Sequence, residues 1–216
     1  MMSDLWAVVP MRGFARGKTR LAGKLDFAER TRLNRWLFAR TLDVIEAWRG
    51  DLARCVVVSR CLEVFEIAAS RGAPVVCEAD AESDQNRAAS AGGEYALQHG
   101  ARKLVLLPSD LPEMTVDSLH VLVVDAHREH HMTIAPDAAG TGTNAVVIDA
   151  HAHSGLCFGD RSYARYLAWA KKQGWTVSVC ARPELTFDLD TPEDWAAWNE
   201  RNAQVAFILE TRRAAG

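Results

Sequence analysis

A group of cations follows the first apolar run of the chain, and these residues are the ones best suited to chemistry. Residues 5–21 read LWAVVPMRGFARGKTRL and carry Arg12, Arg16, Lys18 and Arg20. Where a strand enters a glycine-containing loop ahead of a helix, backbone N–H groups and cationic side chains converge, which favours phosphate binding. We therefore predict a nucleotide site here, with Arg12 and Lys18 foremost. Arg20 could instead face water, and a solvated connecting loop is the alternative for the whole segment.

This loop is not a P-loop, although it contains the sequence GKT at residues 17–19. The pattern GxxxxGK[ST] requires a glycine five positions before Gly17. That position is occupied by Arg12, and Gly13 is one residue too close. The sequence therefore indicates a different class of nucleotide-binding fold.

Three carboxylates form the second group of interest. Asp110 follows the apolar run 103–108, and Asp188 and Asp190 alternate within the segment 185–190, LTFDLD, which we predict to be a strand. Alternation on a strand places Asp188 and Asp190 on one face. With no local cation to pair them, three such groups suit a hard cation such as Mg²⁺. Alternatively, Asp110 caps a turn and Asp190 only begins the final helix.

Two glycine-containing segments, GTGTN (140–144) and FGDRS (158–162), are weaker signals. Small residues let backbone amides approach an anion, and Thr or Ser hydroxyls donate to phosphate, but ordinary turns use the same residues. The seven histidines are best interpreted as surface residues. No GxSxG motif or other candidate for covalent catalysis is present in the sequence.

Apolar runs alternate with helical patterns along the chain. Asp26 and Glu29 form a predicted capping box, and Thr191 with Pro192 marks another helix start. Such alternation predicts an α/β fold, a three-layer sandwich with a mostly parallel central sheet and ligands beyond the carboxyl ends of its strands. The predicted strands are 5–10, 54–59, 74–77, 103–108, 132–136, 144–149, 175–180 and 185–190, and the main predicted helices are 62–71, 87–99, 116–130, one beginning after Asp26, one ending near Gln173 and one beginning at Pro192.

Composition limits the class of protein. A chain of 216 residues, 49% hydrophobic, suits a single domain covering 1–216. A formal net charge of -3 argues against nucleic-acid binding. Five cysteines with no CxxC pair are predicted to be buried free thiols of a reducing compartment. No signal peptide or membrane span is predicted, so we expect a soluble cytoplasmic protein, either a monomer or a homodimer.

Five segments in order resemble a known family: VVPMRGFARGKTRL, LPSDLPEM, GTGTN, FGDRSYARY and FDLDTPED. They are similar to the 2-phospho-L-lactate guanylyltransferases, which serve the biosynthesis of the deazaflavin coenzyme F-420, and the match spans nearly the whole chain. The resemblance implies the Rossmann-like fold of the nucleotide-diphospho-sugar transferases. It also implies GMP transfer from GTP to 2-phospholactate, phosphoenolpyruvate or 3-phosphoglycerate. Sugar-phosphate or molybdopterin nucleotidyltransferases of this fold, and a non-catalytic nucleotide-binding domain, are the alternatives.

Roles for individual residues follow from the basic loop and from the resemblance. From the loop and its chemistry we expect nucleotide contacts at Pro10, Arg12, Arg16 and Lys18, and the resemblance adds Asn86. The resemblance implies that Asp110, Asp188 and Asp190 bind Mg²⁺ and that Thr143, Gly159 and Ser162 bind the acceptor. We predict catalytic roles for Asp110, Lys18 and Arg12.

The chain departs from the family pattern at two places. Many members have Gly-Leu-Asn where this chain has Asp84, Gln85 and Asn86, so only Asn86 is carried over. In FGDRSYARY, Arg161 replaces a residue that is often small or neutral, and Tyr166 replaces a frequent histidine. Arg161 is therefore added to the predicted acceptor site, where it could contact a carboxylate and alter the choice of acceptor.

Overall fold

One seven-stranded sheet runs through the part of the chain that the computed structural model describes, residues 4–78 and 84–202. The strands are β1 (Leu5–Pro10), β2 (Cys55–Ser59), β3 (Val75–Cys77), β4 (Lys103–Leu106), β5 (His131–Pro136), β6 (Thr143–Asp149) and β7 (Thr176–Val179). Their order in the sheet is β3-β2-β1-β4-β6-β5-β7.

The sheet is mostly parallel, as predicted, with one reversed strand. Strand β6 runs antiparallel to both of its neighbours, β4 and β5, and the other four pairings are parallel. The short turn between β5 and β6 allows only an antiparallel pair. Because β6 is reversed, its first residue, Thr143, lies at the same edge of the sheet as the carboxyl ends of β1 and β4. The reversal thus brings GTGTN to the edge where Asp110 lies.

Helices cover both faces of the sheet. They are α1 (Phe27–Arg49), α2 (Leu62–Ser70), α3 (Gln85–Gln98), α4 (Val116–Leu122), α5 (Ser162–Gln173), α6 (Pro183–Thr186) and α7 (Pro192–Arg201). Alternate β1 residues face opposite layers: Val9 packs in the core with Phe38 of α1, and Val8 packs in the other core with Ala89 of α3. Both cores are apolar and buried, which confirms the predicted three-layer α/β architecture.

Helix starts are the local features best predicted from the sequence. The Asp26 carboxylate accepts a hydrogen bond from the Glu29 backbone N–H at 2.8 Å, and Glu29 accepts one from the Asp26 N–H at 2.7 Å. This reciprocal arrangement is the capping box expected at the start of α1. Thr191 and Asp194 form the same arrangement at the start of α7. Both predicted starts are confirmed.

Helix α4 is shorter than predicted, because it ends at Leu122 rather than near residue 130. Tertiary hydrogen bonds hold the following residues in turns. The hydroxyl of Ser178 donates to the Asp125 carboxylate at 2.8 Å, and the Lys103 ammonium donates to the Arg128 carbonyl. These contacts outweigh a helical preference that sequence pattern alone favours.

The structure tests the prediction that the cysteines are buried free thiols. All five cysteines are free, but only Cys55 and Cys180 are buried, while Cys77 is exposed. The prediction of buried thiols therefore holds for two of the five.

Within the described ranges, no helix is both long enough and apolar enough to cross a bilayer. The central part of the predicted acidic loop, residues 79–83, lies outside the described residues.

Candidate active site

A cleft of about 470 Å³ opens at the carboxyl ends of β1, β2 and β4. Parallel sheets of this kind place ligands at that edge. Its lining includes five of the residues that the sequence predicted for the site: Pro10, Arg12, Lys18, Asp110 and Asp190. Arg16 is exposed at the end of the short 3-10 helix Phe14–Arg16 and is not among the described residues that line the cleft.

Lys18 lies at the centre of the charged groups in this cleft. Its side chain is 6% exposed, and its Nζ lies 3.1 Å from Asp110 Oδ2 and 3.4 Å from Asp190 Oδ1. Burial lowers the pKa of a lysine, but the charges of these two carboxylates outweigh burial and raise the Lys18 pKa above its ordinary value. The expectation of carboxylates without a local cation is therefore wrong, because the basic loop supplies one.

Arg20 adds a second cation at the rim. Its Nη1 lies 3.0 Å from Asp190 Oδ2, although the Arg20 side chain remains 72% exposed. Arg20 therefore both faces water, which is one of the two predicted possibilities, and contacts the cluster. We name the set of Lys18, Arg20, Asp110, Asp188 and Asp190 the lysine–carboxylate cluster.

Asp188 and Asp190 reach this cluster by a different route from the one predicted. The segment 185–190 is not a strand: Pro183 begins the short helix α6, which ends at Thr186, and extended chain without strand pairing follows. The Leu189 backbone N–H donates to the Asp110 carbonyl at 3.0 Å and fixes this chain beside the turn after β4. Strand alternation therefore does not set the directions of the two carboxylates.

The environment of Asp188 differs from that of Asp190. Asp188 is half-buried and has no salt bridge within the described part of the chain. Burial, followed by the nearby charge of Asp110, raises its pKa to about 6. A carboxylate that is desolvated and close to another negative charge gains most from an added cation. Asp188 is thus the member of the cluster whose charge is least compensated.

The cluster offers the donor atoms that Mg²⁺ prefers, but its three carboxylates are not close enough together in this structure to hold the ion. Mg²⁺ prefers carboxylate oxygens, and three carboxylates belong to this cluster. However, in the parts of the chain that the structure describes, no three Asp, Glu, His or Cys side chains are grouped closely enough to hold a metal. The Lys18 ammonium lies between Asp110 and Asp190, and it sets their present separation.

The predicted acceptor residues come together at the same edge of the sheet. Thr143 begins β6 and Ser162 begins α5, and the Tyr163 N–H donates to the Thr141 carbonyl at 3.2 Å, which joins the two segments. The hydroxyl oxygens of Thr143 and Ser162 are both buried and have no hydrogen-bond partner among the described residues. Buried hydroxyls without partners are unusual and favour a ligand with acceptor oxygens.

The backbone between these hydroxyls has two unusual conformations. Gly159 has φ +105°, which glycine adopts freely, but Arg161 has φ +50° and an exposed side chain. A left-handed conformation at a non-glycine residue costs about 1–2 kcal/mol. This explains why a small residue such as glycine would suit position 161. We refer to residues 157–162 as the 157–162 loop.

Asn86 does not point freely into the cleft. Its Nδ2 donates to the Phe158 carbonyl at 3.1 Å, and its Oδ1 accepts from the Phe158 N–H at 2.5 Å. The amide therefore holds the 157–162 loop, and its predicted contact with a nucleotide stays a prediction.

Comparison with known proteins identifies the family. Residues 5–198 match the family described as "Guanylyl transferase CofC like". The chain belongs to this family.

The relatives of this guanylyl transferase family are named for three different phospho-acids. A phosphoenolpyruvate guanylyltransferase from Rubrobacter xylanophilus is 35% identical, over 89% of this chain and 92% of that protein. A 2-phospho-L-lactate guanylyltransferase from Methanothermobacter thermautotrophicus is 33% identical, over 87% and 81%. A 3-phospho-D-glycerate guanylyltransferase from Phenylobacterium zucineum is 29% identical, over 87% and 86%. The sequence-based prediction that the chain is an enzyme of the guanylyltransferase class is confirmed.

Solved structures support the same fold. A protein assigned as a nucleotide-diphospho-sugar transferase from Desulfovibrio desulfuricans superposes with a TM-score of 0.69 at 16% identity, over 99% of this chain and 92% of that one. A cytidylyltransferase from Leptospira borgpetersenii gives 0.60 at 16% identity, over 93% and 87%. At this identity the likeness shows the fold alone, and it confirms the predicted nucleotidyltransferase-like architecture.

Two residues that organise this cleft and its surroundings were not predicted. Asn144 Nδ2 donates to the carbonyls of Leu185 and Thr186 at 3.1 and 3.0 Å and lies 3.5 Å from Asp188 Oδ1. It therefore ties β6 to the chain that carries the carboxylates. The sequence signal for Asn144 is its place at the end of GTGTN, whose small residues and threonines are more obvious candidates for anion contacts.

Asn34 is the second unpredicted residue, and it shapes the basic loop. This buried α1 side chain donates to the Phe14 carbonyl at 2.7 Å. A Cβ atom at Gly17 would lie 2.7 Å from Asn34 Nδ2, so a larger residue there would displace this buried amide from Phe14. Gly13 has φ +108°, another conformation that favours glycine. The two loop glycines thus have structural reasons of their own, beside any contact with phosphate.

A larger cavity lies elsewhere, at the opposite edge of the sheet. It measures about 790 Å³ and is lined partly by the buried pair Lys103 and Asp149 and by four histidines. None of the predicted site residues lines it. The chemistry described above therefore belongs to the smaller cleft.

Proposed function

We propose that this protein transfers GMP from GTP to a phosphorylated three-carbon acid, with release of pyrophosphate, as a step in the biosynthesis of coenzyme F-420. The acceptor is 2-phospho-L-lactate, phosphoenolpyruvate or 3-phospho-D-glycerate. The observation that carries the proposal is the buried Lys18 ammonium between Asp110 and Asp190 at the floor of the cleft, in a chain of the CofC-like family. GTP and phospho-acids are substrates of the cytoplasm, where we expect the protein to act.

The reaction we propose is an in-line displacement at the α-phosphorus of GTP. A phosphate oxygen of the acceptor forms the new P–O bond, and the bond to the β-phosphate oxygen breaks, so that pyrophosphate leaves with the electron pair. A phosphate monoester has a second pKa of about 6 and is therefore largely dianionic at neutral pH. The nucleophile needs no general base, and we assign that role to no residue.

Cationic side chains align and neutralise the two polyanions. We propose that the triphosphate of GTP binds to the side chains of Lys18, Arg12 and Arg16 and to backbone groups beside Pro10. Arg12 lines the cleft. Arg16 lies in the same loop with an exposed side chain, which would have to turn inward to contact the triphosphate. Positioning and charge neutralisation are the main contributions of proteins to phosphoryl transfer.

Asp110, Asp188 and Asp190 would hold Mg²⁺, which, when bound, supplies further neutralisation of charge on the phosphates. Two observations support these ligands: all three offer oxygen donors, and Asp188 has no salt bridge within the described residues, so that burial and the charge of Asp110 raise its pKa to about 6 despite the nearby Lys18. Lys18 would then release Asp110 and Asp190 and turn its ammonium towards the triphosphate.

The acceptor would bind at Thr143, Gly159, Arg161 and Ser162. The Thr143 and Ser162 hydroxyls, which have no partner within the described chain, would donate to its phosphate or carboxylate oxygens. Gly159 leaves space for close approach of the backbone, and the Arg161 guanidinium could pair with the carboxylate.

A substrate screen tests this proposal. Pyrophosphate release is measured with GTP, CTP or ATP against the three phospho-acids, a sugar phosphate and molybdopterin, and product masses are recorded. We expect release with GTP and at least one phospho-acid, with a product mass of acid plus GMP minus one water. Turnover only with a sugar phosphate or molybdopterin would replace the proposal by another transferase reaction. GTP binding without pyrophosphate from any acceptor would indicate a non-catalytic domain.

A further inference from the structure

The side chain of Asn86 joins two walls of the site that are far apart in sequence. Asn86 lies in the first turn of α3, and its neighbours Asp84 and Gln85 line the cleft. Its partner, Phe158, belongs to the 157–162 loop, 72 positions further along the chain. Helix α3 and the 157–162 loop are therefore fixed to one another through one amide.

The chemistry of this contact requires an amide. The NH₂ group of Asn86 donates to the Phe158 carbonyl while its oxygen accepts from the Phe158 N–H. A carboxylate at this position could accept but not donate, and it would face the carbonyl with a negative charge. An aliphatic side chain could do neither. Both polar atoms of Asn86 hold a backbone partner, so the 157–162 loop fixes the orientation of the amide and leaves one N–H and one oxygen lone pair for any other contact.

The other contacts on the 157–162 loop come from the helix that follows it. The Arg165 guanidinium donates to the carbonyls of Cys157 and Phe158 at 2.6 and 2.7 Å. The Tyr166 hydroxyl accepts from the Cys157 N–H at 3.1 Å. These bonds shape the loop but connect it only to α5. Asn86 instead connects the loop by hydrogen bonds to α3, which forms part of the cleft wall. Phe158 and Ala88 of α3 also belong to the same hydrophobic core.

We infer that Asn86 is a positioning residue that aligns the acceptor with the nucleotide, an inference that rests on the proposed function. By fixing Phe158, it sets the neighbouring Gly159 and the Ser162 hydroxyl at a constant distance from the cleft. Alignment of two reactants within a site is a large part of catalysis by proximity. Asn86 thus acts on the acceptor rather than on GTP, in contrast to the nucleotide contact that the family resemblance implies.

The variants Asn86→Ala and Asn86→Asp test this role. We expect the KM of the phospho-acid to rise about tenfold in both, which corresponds to the loss of one or two neutral hydrogen bonds. The Kd of GTP, measured by calorimetry without acceptor, should stay within about twofold of the wild type. Gln98→Ala is the matched control: Gln98 is the last residue of the same helix, bonds only to exposed Glu94 in the described structure, and should leave both values unchanged.

Amide hydrogen exchange at Phe158 provides a readout that needs no activity. In Asn86→Ala we expect faster exchange at that N–H, with wild-type rates in Gln98→Ala. Unchanged exchange would overturn the inference even if the wild-type enzyme shows no guanylyltransferase activity. If the wild type is active and exchange changes, a GTP Kd that weakens as much as the acceptor KM would also overturn it and assign Asn86 to the nucleotide. Circular dichroism and thermal melting confirm that each variant is folded.

Discussion

The lysine–carboxylate cluster and the 157–162 loop, two regions of one site, differ in how their polar groups are satisfied. In the cluster, the Lys18 ammonium faces two carboxylates and the Arg20 guanidinium faces one of them. In the loop region, the Ser162 hydroxyl is buried without a partner in the described structure, and Arg161 has a strained backbone. Ion pairs thus offset the burial and the left-handed backbone of Lys18 (φ +57°) in the cluster, whereas the Ser162 hydroxyl and the Arg161 backbone have no such compensation among the described residues.

This difference predicts opposite effects of substitution on stability. Removing a charge from the cluster leaves an opposite charge unbalanced, so function and stability should fall together. Removing an unsatisfied hydroxyl or a strained side chain relieves a cost, so stability should rise while acceptor binding weakens or changes. The four predictions that follow test this contrast, beginning with the largest effect.

Asp110→Asn should give the largest loss. It removes the carboxylate closest to Lys18 Nζ and one proposed ligand of Mg²⁺, and we expect the rate of pyrophosphate release to fall by at least about 10²-fold. The melting temperature should also fall, with the fold intact, because the buried Lys18 loses its closest partner and this outweighs the relieved repulsion of Asp188. Asp117→Asn, an exposed carboxylate in the first turn of α4, is the control and should retain full activity. Near-normal turnover by Asp110→Asn would remove Asp110 from the chemistry.

Lys18→Ala and Lys18→Gly separate the charge of Lys18 from its backbone conformation. Both lack the ammonium, so both should weaken the use of GTP by about 10²-fold and leave Asp110 and Asp190 facing each other. Lys18 has φ +57°, so the glycine variant should be about 1 kcal/mol more stable than the alanine variant by chemical denaturation. Equal stability would show that the left-handed conformation carries no strain, and an unchanged KM for GTP would exclude Lys18 from the nucleotide site.

The same contrast explains how much of the site could be predicted from sequence. Most strand and helix positions, and the capping residues Asp26 and Thr191, depend on local pattern and agree with the predictions; the exceptions are the predicted strand 185–190 and the second half of the predicted helix 116–130. The Lys18 ion pairs were not predicted, because they join residues separated by 92 and 172 positions, and local pattern says nothing about such contacts. Likewise, the path of the chain that carries Asp188 depends on Asn144. This β6 side chain donates hydrogen bonds to the carbonyls of Leu185 and Thr186, which are distant from it in sequence.

The reversal of β6 shows the same limit at the level of the fold. Apolar alternation identifies a strand but not its direction, and the direction follows here from the short turn 137–142. Because β6 is reversed, Thr143 lies at the edge of the sheet that holds the cleft, beside the carboxyl end of β5, rather than at the far edge.

Ser162→Ala should weaken binding of the acceptor while stabilising the protein. The Ser162 hydroxyl has no partner in the described structure, so its removal should raise the free energy of unfolding by about 1 kcal/mol. Loss of one hydrogen bond to the acceptor should raise its KM about fivefold, with the Kd of GTP unchanged.

Ser118→Ala is the matched control for Ser162→Ala. Ser118 is equally buried, but its hydroxyl is fully used in the capping box of α4 with Thr115. Its removal should lower stability by about 1 kcal/mol and leave the acceptor KM unchanged. Loss of stability in both serine variants would contradict the contrast between satisfied and unsatisfied hydroxyls.

Arg161→Gly should have the smallest effect on turnover and the clearest effect on acceptor choice. Glycine accepts the φ of +50°, so the free energy of unfolding should rise by about 1 kcal/mol. If the guanidinium pairs with the acceptor carboxylate, the ratios of kcat/KM among the three phospho-acids should shift by a few-fold. His130→Gly is the control, since His130 has φ +51° at the opposite edge of the sheet; it should gain similar stability without altering those ratios. Identical ratios in Arg161→Gly and the wild type would make Arg161 a surface residue and leave acceptor choice to the hydroxyls of Thr143 and Ser162.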